Sequence, residues 1–116
     1  MSMEAIERRM QELRELASKY AKAKANTEYL AHFRKSKIAM LMKKYELKYP
    51  KECKTAAAQE REARCDDEYL EILDGLRQAT EESEQALWEL RIAQMGAELW
   101  RTQQASERAE RKSYGA

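Results

Sequence analysis

Lys37, Lys44 and Lys48 recur at spacings of seven and four, which on a helix aligns three ammonium groups along one flank. Seven helical residues rise about 10.5 Å. Cations at that interval suit successive portions of a flexible single strand better than one small anion. Lys43, Lys51 and Lys54 widen the track, and Arg34 and Lys35 precede it. Phe33, Tyr45 and Tyr49 lie among these cations, and a base stacked on an aromatic ring contributes ~1 to 3 kcal/mol without reading sequence. The residue types are those of a polyanion surface, with Lys37, Lys43, Lys44 and Lys48 on phosphates and Tyr45 or Tyr49 on bases.

The charge distribution supports this reading over a merely solvated helix. Residues 34–54 carry eight Lys/Arg against two Glu, whereas residues 60–84 carry ten Asp/Glu against three Arg, although the whole chain is only +1. A face built for solubility alone would intersperse the signs. Arg34 is ambiguous, since it projects near the apolar side and can instead pair with an acid of a second helix.

Other chemistries find little support. The sequence has no glycine-rich phosphate loop, and no histidine beside a nucleophile motif, so we expect neither an enzyme nor a cofactor. Cys53, Cys65 and the single His32 do not have the number or spacing of a zinc site and read as plain thiols. Asp66 and Asp67 read as helix caps rather than a catalytic pair. No apolar run approaches the roughly 20 residues needed to span a bilayer, and the charged N-terminus lacks a signal-peptide core, so the expected location is the cytoplasm.

The elements that position these residues must be helical. The chain of 116 residues has no valine, one phenylalanine, three glycines and one proline, and Ala, Glu, Arg, Lys and Leu dominate. Apolar residues recur mostly three or four apart from Ile6 to Tyr45, predicting one helix over about 3–48 with a loosening near Asn26 and Thr27. Tyr49-Pro50 ends it, because proline disfavours the α conformation before it and lacks an amide donor. A connector follows over about 49–66, irregular or holding a short helix capped by Thr55, and Asp66 or Asp67 caps a second helix over about 67–112. The expectation is a single all-α domain, 1–116, of two long antiparallel helices.

The second helix is apolar on two sides. Tyr69, Ile72, Leu76, Ala79, Ala86, Leu90, Ala93 and Ala97 share one face, while Trp88, Ile92, Met95 and Leu99 fall nearly opposite. The first face folds back on the N-terminal helix, and the second is assigned to another subunit, making a homo-oligomer. The alternative is a third segment of the same chain.

The segment "SKIAMLMKKYELKYPK" and the helix "DEYLEILDGLRQATEESEQALWELRIAQMGAELWR" behind an acidic linker resemble, in layout, the UvsY-like recombination mediators of tailed bacteriophages. The resemblance covers roughly residues 15–110. It implies a ring-forming helical protein of the infected bacterial cytoplasm that binds single-stranded DNA and helps a RecA-type recombinase displace a single-strand-binding protein. The family's basic contacts map onto Lys43 and Lys44 and its paired tyrosines onto Tyr45 and Tyr49, while the glycines that follow those tyrosines are replaced here by Pro50. A different class stays open, a phage-encoded helical protein-interaction module that inhibits a host nuclease or defence complex. A purely structural coiled coil is less favoured, because the apolar repeat breaks near residues 22–27.

Overall fold

A computed structural model describes residues 2–115. It contains α1 (Met3–Lys48), α2 (Ala56–Cys65) and α3 (Asp67–Gly115), and no strand among the described residues. The all-helical expectation holds, as do the two long helices with a short one between them. The bounds differ in two places. No loosening occurs at Asn26 and Thr27, where α1 runs on without a break and the Thr27 hydroxyl donates to the Ala23 carbonyl at 3.0 Å, satisfying itself within the helix. At the other end α3 continues three residues beyond 112.

Local chemistry explains the breaks. α1 ends at Lys48 ahead of Pro50, and the Cys53 amide donates to the Tyr49 carbonyl at 2.8 Å to close the turn. Thr55 then caps α2, its Oγ1 accepting from the Ala58 amide at 3.2 Å. Asp66 separates α2 from α3 in an extended conformation (φ −70°, ψ 137°). Its Oδ1 accepts from the Glu68 amide at 2.8 Å, so the expected cap of α3 is Asp66 and not Asp67.

Two compact units divide the chain, Lys22–Ser83 and the pair of segments Met1–Ala21 and Glu84–Ala116. In the first, Leu41 of α1, Ala63 of α2 and Tyr69 of α3 form the buried cluster, with Ile38, Met42 and Leu73 packed against it. Alanines at Ala58, Ala63 and Ala79 are buried, and their small side chains let three helices approach where larger ones would hold them apart. In the second unit the two helix segments run antiparallel. Lys19 Nζ meets Glu89 Oε2 at 3.0 Å, and the Arg9 guanidinium lies 5.3 Å from the centre of the Trp100 ring. Ala86 is fully buried there.

Candidate nucleic-acid interface

The basic segment occupies the last turns of α1 and the turn after it, all within the unit Lys22–Ser83. Its cations divide into two groups. Lys37, only 18 % exposed, places Nζ 2.9 Å from Glu68 Oε2, and Lys44 places Nζ 3.7 Å from Asp66 Oδ2. Both belong to the proposed phosphate stripe, and both are drawn onto the start of α3. That start is acidic because negative charge near a helix N-terminus is favourable. Lys37 would have to give up this partner to meet a phosphate, whereas the half-exposed Lys44 ammonium keeps donors toward solvent.

The second group faces solvent. Lys35, Lys48, Lys51 and Lys54 are exposed and form no ion pair among the described residues. Lys43 is also exposed, 4.0 Å from Glu46 one turn on, a separation that in water is worth little. Lys48 Nζ lies 5.5 Å above the Tyr49 ring and Lys44 Nζ 5.6 Å above the Tyr45 ring.

Tyr45 and Tyr49 stack at 6.0 Å between ring centres and 21° between planes, but they are not equivalent. The Tyr45 hydroxyl donates to Asp66 Oδ2 at 2.7 Å. That bond to a carboxylate, with burial and the nearby negative charge adding to it, pushes the Tyr45 phenol up to about 12. The Asp66 carboxyl is held below its ordinary range by the same bond and by the Glu68 amide, with Lys44 contributing charge, against the opposing effect of burial. Tyr45 is therefore a tie between α1 and α3. Tyr49, 41 % exposed, carries the ring that a base can reach.

Arg34 does not form the pair with an acid of α3 that is its alternative to a place on the polyanion surface. Its Nε is buried without a hydrogen-bond partner, and the residue takes part in no ion pair among the described residues.

Exposed apolar side chains beside the lysines form a feature the sequence reading missed. Tyr29, Met40 and Leu47 are all largely exposed, and Phe33 stacks on Tyr29 at 5.9 Å. At about 100° per residue these four lie within roughly 40° of one another, on a face distinct from that of buried Leu41. The spacings 29, 33, 40 and 47 carried the signal, masked because Leu30, Ile38 and Leu41 interleave with it.

The other predicted stripe lies on α3 in the second unit. Trp88, Ile92, Met95 and Leu99 are 55 %, 65 %, 59 % and 70 % exposed, so no segment of the chain's described residues covers them. Arg91 leans its guanidinium over the Trp88 ring at 5.1 Å. Among the described residues no cluster of three or more His, Cys, Asp or Glu is arranged to hold a metal ion, and no helix is long and apolar enough to cross a membrane.

In comparison with known proteins, no family matches the chain, and neither a curated protein nor a solved structure matches it.

Proposed function

We propose that this chain is a self-associating helical protein that binds single-stranded DNA through the C-terminal end of α1. One observation carries the reading: Lys48 lies 5.5 Å above the half-exposed ring of Tyr49, and Lys51 and Lys54 are exposed in the segment that follows, with Lys43 on the turn before. Cations for phosphates and a ring for a base therefore share one helix end, the combination that sequence-tolerant strand binding uses. Lys37 and Lys44 serve chiefly to seat α1 on α3, so the phosphate track is shifted toward the turn. The role of mediator for a RecA-type recombinase, displacing a single-strand-binding protein, rests on the layout resemblance.

Exposed Met40 and Leu47 favour a second reading, because the deoxyribose-phosphate backbone makes no use of an apolar strip among lysines. In that reading the same surface docks an acidic, partly apolar protein, as an inhibitor of a host nuclease or defence complex would.

The test is a salt series of oligonucleotide affinity. Replacing Lys48, Lys51 and Lys54 by Ala should flatten the dependence of log affinity on log salt by roughly 0.7 per lost phosphate contact. Lys37→Ala should leave that slope in place. Tyr49→Ala should lower affinity with little change of slope, because stacking releases no counterions. Equal affinities and slopes for the triple variant and the unmodified protein would remove the DNA reading and leave the protein-docking one.

A further inference from the structure

The exposed stripe of α3 has a charge pattern that selects a partner and an orientation. Trp88, Ile92, Met95 and Leu99 step by four, three and four residues, the interval at which one helix presents a seam to another. Their exposure of 55 % to 70 % leaves the seam open, while the opposite side of the helix, marked by buried Ala86, faces α1. Polar residues bound it on both sides, Gln85 before Trp88 and Thr102 after Leu99. The apolar length is therefore short and closed at each end, unlike a seam that continues along a fibre.

We propose that a second copy of this chain covers the stripe, with the two α3 helices antiparallel about a two-fold axis between Ala93 and Gln94. This deepens the self-association in the functional reading above and rests on it. In that arrangement Ile92 packs on the partner's Met95, and Trp88 on the partner's Leu99, so that all four apolar residues of each copy are used at once. The same register sets Arg91 across from the partner's Glu98, and symmetry repeats the pair. Neither Arg91 nor Glu98 has an ion-pair partner within the chain among the described residues.

A parallel pairing in register fits the charges worse. It sets Arg91 against the partner's Gly96 and Glu98 against the partner's Gln103, gaining no ion pair, and it brings Glu84 beside the partner's Glu89. The antiparallel register instead places Glu89 against the partner's Gly96, where Lys19 already holds the Glu89 carboxylate at 3.0 Å. Full cover of the four side chains removes on the order of 500 Å² per copy, about 1,000 Å² in all, the lower range for a specific interface. Such a dimer is reversible, and its ion pairs decide orientation more than strength.

Charge exchange tests the orientation. Arg91→Glu alone and Glu98→Arg alone each place two like-charge pairs across the axis, and each should weaken dimerisation at least tenfold by sedimentation equilibrium. Arg91→Glu with Glu98→Arg in one chain should restore it, and the restored chain should pair with itself in preference to the unmodified protein. Both residues are exposed, so these variants keep their helix, which circular dichroism checks. An Ile92→Glu, Leu99→Glu variant reports any use of the stripe, whatever its orientation. If it disperses the dimer but the charge exchange does not restore the single variants, the antiparallel register is wrong and self-association through the stripe stands. A mass of 13.6 kDa for the unmodified chain at all concentrations overturns both. The lysine and Tyr49 variants judge DNA binding separately in either event.

Discussion

The hydroxyl of Tyr45 near the end of α1 donates a 2.7 Å hydrogen bond to Asp66, whose other carboxylate oxygen caps α3. One acidic side chain thus starts a helix and holds that helix to its neighbour. The arrangement explains why a tyrosine with a credible role in base stacking is structural, and it draws the half-exposed Lys44 ammonium to 3.7 Å from the same carboxylate.

Removing this link should cost more than removing an ordinary cap. Asp66→Ala loses the cap and strands the Tyr45 hydroxyl, and is expected to destabilise the fold by roughly 2 to 4 kcal/mol. Tyr45→Phe keeps the cap and should cost about 1 to 2 kcal/mol. Urea unfolding followed by circular dichroism measures both, and equal losses for the two variants would deny Asp66 its double role.

The same pair makes stability depend on pH at both extremes. The Asp66 carboxyl is lowered in the folded chain, so its contribution is present above the ordinary carboxylate value of about 4 and fades as pH falls through the lowered value. The Tyr45 phenol is raised to about 12, so its contribution is complete below about 10 and is lost as pH rises from there through 12. A spectrophotometric titration should show a late tyrosine ionisation that Tyr45→Phe abolishes.

Gly75 lies within α3, and a Cβ built on it meets nothing within 4 Å. Gly75→Ala should therefore stabilise the protein by about 0.5 to 1 kcal/mol, since alanine restricts the unfolded chain and adds no clash. A rise in the thermal midpoint of a few degrees is the expected reading, and a fall would reveal a contact at that face.

The two thiols should behave differently. Cys65 is exposed and should react with a thiol reagent at once, whereas Cys53 is 2 % exposed and should react only on unfolding. Cys65→Ser is expected to be neutral. Cys53→Ser places a hydroxyl at a buried position and should cost on the order of 1 kcal/mol or more.

What the sequence by itself determined is what depends on near neighbours. Apolar spacing of three and four, the scarcity of glycine and proline, and the caps at Thr55 and Asp66 act over a single turn, and they define the two long helices to within a few residues while leaving the connector open between a short helix and an irregular segment. The two-sided character of α3 is legible for the same reason, because a helical wheel needs no tertiary contact. Only the tertiary structure decided which charges are free. Lys37, Lys44 and Lys48 are equivalent on a wheel, yet Lys37 and Lys44 face Glu68 and Asp66 because α1 and α3 pair antiparallel with their acidic and basic ends together. Tyr45 and Tyr49 are likewise one turn apart and chemically identical. Tyr45 alone lies within reach of Asp66, which holds its hydroxyl in the fold and leaves the ring of Tyr49 for solvent.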